Sequence, residues 1–185
     1  MTFRAFLAVE MDKGFNVESL LPKLEMSGAD LKLVERQNMH ITLKFLGDTG
    51  EDRIEGIGEA METSVKGKAP FELRFRGMGA FPGPMSIKVV WVGMQGGEPL
   101  GQISRSLDEE LSKIGFPVDG RGFSPHITLG RVRTPRRWGS LPALIDRYAQ
   151  EDFGRMIVEK VALKKSVLGP RGPAYSTVLE VKLVG

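Results

Sequence analysis

The sequence predicts an α+β fold of two pseudo-symmetric lobes, each a small, mostly antiparallel sheet covered by helices, with a cleft between them. Three observations lead there. Short alternating or apolar runs that suit strands are interleaved with longer runs whose apolar residues recur at helical spacing. The tetrapeptide His-Ile-Thr-Leu occurs twice, at 40–43 and at 126–129, 86 residues apart in a chain of 185, so each half carries one copy. No linker, low-complexity tract or charge block separates the halves. The chain therefore reads as one bilobal domain over 1–185 that arose by internal duplication.

Residues 3–9 are a mostly apolar run that suits a buried strand. Residues 12–26 have helical spacing, with Leu20, Leu21 and Leu24 inward, although Pro22 demands a kink or a late start. A short strand follows at 31–35. Residues 39–46 alternate strictly, with Met39, Ile41, Leu43 and Phe45 on one face and His40, Thr42 and Lys44 on the other, until Gly47-Asp48 stops them. Residues 51–65 form a helix on Ile54, Ile57, Met61 and Val65, capped by Asp52 or Thr49. Alternation resumes at 71–75, the Phe81-Pro82-Gly83-Pro84 cluster is a turn, and 87–92 is a central strand dense in β-branched and aromatic residues. Residues 99–114 form a helix on Leu100, Ile103, Leu107, Leu111 and Ile114, closed by Gly115. The second motif strand spans 125–132, a helix 138–149, and strands at 156–166 and 175–184 finish the chain.

Composition narrows the class. Apolar residues make up 41% of the chain, enough for a sizeable core, and no apolar run approaches the length of a membrane span. The apolar opening is too short for a secretion signal and ends in Glu10, so a cytoplasmic protein away from any membrane is expected. Without cysteine, disulfides and thiolate zinc sites are closed. The net charge is only +3, but the basic residues cluster: Arg131, Arg133, Arg136 and Arg137; Lys164, Lys165 and Arg171; Arg74 and Arg76. Such stripes favour a phosphate-bearing partner.

His40 and His126 are the only histidines, and the chance that a given His precedes Ile-Thr-Leu is on the order of one in several thousand. On a strand, residues i and i+2 share a face, so His40 emerges with Thr42 and His126 with Thr128. One His-x-Thr by itself is more often a satisfied polar pair; two copies in one register reverse that preference. Facing each other, two imidazoles supply a general acid and a general base near neutral pH, and two hydroxyls can bind a charged oxygen. Imidazoles on opposite sides of a bound group suit an in-line displacement at phosphorus. Neither motif holds a carboxylate, and there is no His-Glu-x-x-His, no phosphate-binding Gly-rich loop ending in Lys-Ser/Thr and no Gly-x-Ser-x-Gly, so no metal or cofactor is expected.

These paired motifs resemble the 2H phosphoesterase superfamily and, among its branches, the bacterial and archaeal RNA 2',3'-cyclic phosphodiesterases, historically called 2'-5' RNA ligases. The likeness spans nearly the whole chain: residues 4–9 resemble the opening strand, 40–47 the first motif with its trailing Phe-Leu-Gly, 90–93 the middle strand and 123–131 the second motif. Leu163-Lys164-Lys165-Ser166, Gly172 and Tyr175 resemble the closing hairpin. Glu10 departs mildly from the pattern, with no expected part in the chemistry. The resemblance implies metal-independent hydrolysis of a terminal 2',3'-cyclic phosphate on RNA, in tRNA fragments or oligonucleotides, to a 2'-phosphomonoester. His40 would be the proton donor to the departing O3' and His126 the proton acceptor from water, with Thr42 and Thr128 on the non-bridging oxygens. From the residues alone the two histidine roles are exchangeable.

Arg131 shares strand parity with Ile127 and Leu129 and would point into the core, unless a bulge at Gly130 re-aims it towards the phosphate. Tyr175 suits stacking on a base or ribose, or core packing; Phe6 and Trp91 read as core. A monomer is expected. Two rival readings stand beside this one. The first is 2'-5' ligation by the reverse reaction, since the Lys-x-Asp-Gly of a nucleotide-dependent ligase is absent. The second is a non-catalytic module that grips RNA ends.

Overall fold

Side-chain alternation along short strands builds one nine-stranded sheet in the computed structural model, which describes residues 1–120, 122–170 and 172–185. The strands are β1 (Thr2–Glu10), β2 (Leu31–Leu33), β3 (His40–Gly50), β4 (Phe71–Gly83), β5 (Ser86–Gln95), β6 (Ile127–Val132), β7 (Asp152–Val158), β8 (Lys160–Gly169) and β9 (Gly172–Lys182). The helices are α1 (Leu21–Glu25), α2 (Ile54–Val65), α3 (Glu98–Lys113) and α4 (Leu141–Arg147). Pairings between these strands are antiparallel, and the order is β7-β4-β5-β6-β3-β1-β8-β9, with β2 paired to β6. The α+β class is the one the sequence predicts.

The two motif strands, β3 and β6, stand side by side at the centre of this order. Outward from them the two sides mirror each other: β5, β4 and β7 on one, β1, β8 and β9 on the other. The lobes are not the sequence halves, however. β8 and β9, from the end of the chain, complete the lobe begun by β1 and β3, whereas β2, β4 and β5 join β6 and β7. Only Glu159 separates β7 from β8. One residue spans just two Cα–Cα steps of about 3.8 Å. The sheet therefore curls until its β7 edge reaches the start of β8, and the single strand predicted over 156–166 is two strands serving different lobes.

Helix packing follows the apolar stripes. Leu100, Ile103, Leu107 and Leu111 of α3 are fully buried, while Ile114, just past its end, is 37% exposed. Each such buried side chain contributes about 1.5–3 kcal/mol. With Ile57, Met61 and Val65 of α2 they cover the β3 side, and the Ser104 hydroxyl ties α3 to β3 by donating to the Leu43 carbonyl at 3.1 Å. β1 buries both faces. Phe3, Ala5, Leu7 and Val9 join the main core, and Phe6 and Ala8 are buried on the opposite face.

Three expectations shift. The helix predicted over 12–26 shrinks to Leu21–Glu25 with Pro22 in its first turn, because Asn16 and Phe15 instead pair with Phe153 and Gly154 of β7. The turn placed at Phe81-Pro82-Gly83-Pro84 lies later, since β4 runs through Phe81 to Gly83 against β5. Strict alternation in β3 fails at Leu43: Ala8 opposes Thr42 and Leu7 opposes Lys44, leaving Leu43 as an extra, bulged residue. Lys44 consequently leaves the His40 face and is buried, pairing with Asp108 of α3 and donating to the Pro117 carbonyl at 2.8 Å, while Phe45 turns outward, 70% exposed.

Replacing Lys44 by alanine leaves the Asp108 carboxylate and the Pro117 carbonyl without their cation. The expected loss is about 3 kcal/mol of unfolding free energy, read from urea denaturation, with Lys44→Met losing less because it refills the space. An unchanged midpoint in both variants would show that this buried pair contributes nothing.

Candidate active site

β3 and β6 touch through one register pair, Ile41 opposite Ile127. Both isoleucines are fully buried. Antiparallel register then sets what stands beside them on the other face: His40 level with Thr128, and Thr42 level with His126. Each imidazole thus has the other motif's hydroxyl as its cross-strand neighbour. Both threonines are half-buried, and among the described residues neither hydroxyl is committed to a hydrogen bond within the protein.

The two rings are held in the same way. His40 Nδ1 lies 2.7 Å from the backbone oxygen of Asn38, and His126 Nδ1 lies 2.7 Å from that of Ser124, in each case two residues upstream. A carbonyl oxygen only accepts, so Nδ1 carries the hydrogen in both rings and Nε2 is left to take or give a proton. Aromatic contacts fix the ring planes. Phe6 packs on His40 with centroids 4.8 Å apart, and Phe81 meets His126 edge-on at 4.9 Å. Trp91, paired with Thr128 across β5 and β6, is half-buried over Gly79, where a Cβ would come within 2.3 Å of the indole. Phe81 stacks against that indole at 5.1 Å.

Arg131 is re-aimed by a bulge. Val90 opposes Gly130 but Trp91 opposes Thr128, so Leu129 is the extra residue. Val89 and Trp91 share a face of β5, and their partners Arg131 and Thr128 therefore share a face too. Gly130 suits this close pairing: a Cβ there would stand 3.1 Å from Leu31 and from the Lys32 carbonyl of β2. Tyr175, opposite Ser166 on the β8–β9 hairpin, is half-buried and meets His40 edge-on at 5.4 Å and Phe6 at 5.0 Å. All six residues singled out in the sequence thus gather on the cleft face of β3, β6 and β9. Of the second basic cluster, Arg171 lies outside the described residues.

Sequence reasoning missed several groups here. Glu10, given no part in the chemistry, is the β1 partner of His40 and forms an ion pair with Lys164, whose ammonium also donates to Thr177 at 2.7 Å. Burial opposes charge on Glu10, yet Lys164 and Thr177 outweigh it and hold the carboxyl below its usual range. Phe6 is indeed buried, but on the cleft side, under His40. Phe81 escaped notice because its Pro-Gly neighbours read as a turn. His40 titrates below its ordinary value, first because burial disfavours the imidazolium and then because Lys164 and Arg131 are positive neighbours, which together outweigh the opposing hydrogen bond to the Asn38 carbonyl. Burial pushes the Tyr175 phenol up, so it is neutral at physiological pH.

The chain is similar to known proteins over nearly its whole length. A family model described as "2'-5' RNA ligase superfamily" matches residues 22–168. Over 178 residues the chain is 42% identical to an RNA 2',3'-cyclic phosphodiesterase of Methanothermobacter thermautotrophicus, covering 95% of this chain and 96% of that protein. It is 40% identical over 175 residues to one of Archaeoglobus fulgidus, with 93% and 96% covered. Among solved structures, a protein of Thermus thermophilus superposes with a TM-score of 0.78 at 26% identity, covering 97% of each chain.

The charges around His40 make a titration prediction. Removing a neighbouring cation favours the imidazolium, so Arg131→Gln raises the His40 pKa back towards its ordinary value, and inorganic phosphate in the cleft raises it further. Proton–carbon NMR of the ring Cε1–H as a function of pH reads both changes. A His40 titration that ignores both would separate Arg131 from the cleft.

Proposed function

Because the chain belongs to the 2'-5' RNA ligase superfamily, within the RNA 2',3'-cyclic phosphodiesterase family of 2H phosphoesterases, we propose that it opens the 2',3'-cyclic phosphate at the end of an RNA to leave a 2'-phosphomonoester. The observation that carries this reading is the pair of imidazoles, each with Nδ1 tied to a carbonyl two residues upstream, on either side of a single strand pairing.

In the proposed reaction His126 Nε2 takes a proton from water as the water oxygen bonds to phosphorus. The bond from phosphorus to O3' breaks on the opposite side, and that oxygen takes the proton carried by His40 Nε2. Thr42, Thr128 and Arg131 hold the non-bridging oxygens, and no metal ion is used. The proton donor must start charged, whereas burial and the Lys164 and Arg131 cations favour a neutral His40 in the unliganded protein. A bound phosphodiester anion offsets that positive field, which makes the acid competent when substrate is present. Exposed Arg133, Arg136 and Arg137 beyond β6, with Lys32 paired across to Arg131, give RNA phosphates upstream of the end a positive track. The mirrored strand order supports a single bilobal domain of duplicated origin.

His40→Ala and His126→Ala should each lower kcat on an oligonucleotide ending in a cyclic phosphate by about 10²- to 10⁴-fold. Affinity for the 2'-phosphorylated product should stay within about threefold, since the hydroxyls and Arg131 remain. Excess chelator should leave the rate unchanged. Loss of affinity in step with activity would favour a non-catalytic RNA-end binder, and a joined product would favour ligation.

A further inference from the structure

The β8–β9 hairpin runs past the strand that supports it. Its last pair with β1 is Ser166 opposite Arg4, and beyond that level its two strands pair with each other, Val167 with Ala174 and Leu168 with Pro173. Val167 and Leu168 are exposed there. Among the described residues, one hydrogen bond ties this end of the hairpin to the rest of the chain: Asn38 Nδ2 donates to the Pro173 carbonyl at 3.0 Å. Lys32 of β2 also comes close, its Nζ 3.4 Å from where a Cβ on Gly172 would stand. Two residues beyond Pro173, Tyr175 meets the His40 ring edge-on.

The same Asn38 seats that ring, since its backbone carbonyl accepts from His40 Nδ1 at 2.7 Å. We propose that Asn38 is a positioning residue that couples the β8–β9 hairpin to the aim of His40 Nε2, holding the ring with its carbonyl and the hairpin with its amide. The inference rests on the hydrolysis proposed above, in which His40 is the proton donor, and it gives Asn38 no contact with substrate.

His126 has the same seat without the second link. Its Nδ1 lies 2.7 Å from the Ser124 carbonyl, but among the described residues the Ser124 hydroxyl makes no hydrogen bond to another segment. The base is thus oriented within its own stretch of chain, whereas the acid depends on a contact 135 residues away. Asn38 closes the single turn at residues 36–38, and the start of that turn is held separately, by Arg36 donating to the Asp12 carbonyl at 3.1 Å. The amide holds the end from which the Asn38 carbonyl points at the ring. A backbone carbonyl only accepts, so Nδ2 is the atom that faces Pro173. Losing the Nδ1 bond frees the neutral imidazole to move its hydrogen to Nε2 and to turn out of reach of the departing oxygen.

Imidazole nitrogen-15 spectra of the unliganded protein at about pH 9, where a histidine is neutral, read the tautomer of each ring. Both rings should carry their hydrogen on Nδ1. In Asn38→Ala, and in Asn38→Asp, which keeps the shape but cannot donate, His40 should become a mixture with the Nε2–H form while His126 is unchanged. On an oligonucleotide ending in a cyclic phosphate, kcat should fall about ten-fold in both variants, with KM within about threefold of the parent. A His40 spectrum that is the same in the parent and both variants would overturn the coupling. So would a raised KM with kcat kept, which would make the amide part of substrate binding. A parent protein that opens no cyclic phosphate would instead overturn the hydrolysis, with the tautomers still deciding the coupling.

Discussion

A single backbone pairing, Ile41 against Ile127, makes one site out of two motifs 86 residues apart. Both isoleucines are buried, so the pairing cannot slip by one residue without turning an imidazole into the core and an isoleucine into the cleft. The polar faces of β3 and β6 therefore stay on one side. Every other feature of the site hangs on this register: each hydroxyl beside the opposite ring, and each ring anchored to its own upstream carbonyl.

Each motif also carries the same irregularity. A bulge falls at Leu43 in β3 and at Leu129 in β6, directly after the threonine. The device is shared, but what it delivers differs. In β6 it turns Arg131 onto the face of Thr128, and Gly130 beneath leaves room for β2. In β3 it buries Lys44 against Asp108 and turns out Phe45, which lies 6.2 Å from Phe6. The pseudo-symmetric backbone thus presents a cation on one side and an aromatic ring on the other, and so can bind a phosphate on one flank and apolar surface on the other.

The electrostatics follow the same asymmetry. Lys164 and Arg131 crowd positive charge around a buried His40, and Glu10, its acidic neighbour across the strands, is already paired with Lys164. Such a cleft resists protonation while empty and accepts it once an anion is bound. The phosphate binding and the proton donation proposed for it share one physical origin, the positive field beside His40.

Much of this was legible along the chain. The α+β class, the strand placement of 40–43 and 126–129, the buried stripes of α2 and α3 and the pairing of each histidine with its threonine follow from two periodicities and a repeated tetrapeptide, all local signals. Arg131 was legible only as a condition on a bulge. Other features could not be read in one dimension. Lys44 looked like a cleft residue because alternation cannot count a bulged Leu43, and Glu10 looked idle because Lys164 lies 154 residues away. Phe81 was hidden by the glycine and prolines around it, and β7 and β8 read as one strand because a single exposed Glu159 divides them. Residue type and local spacing were enough to single out the histidines and threonines that the fold brings to one face, because each motif is complete within four consecutive positions. Which hydroxyl stands beside each ring and which charges surround His40 are matters of pairing between segments far apart in the chain, and the folded sheet alone brings those segments together.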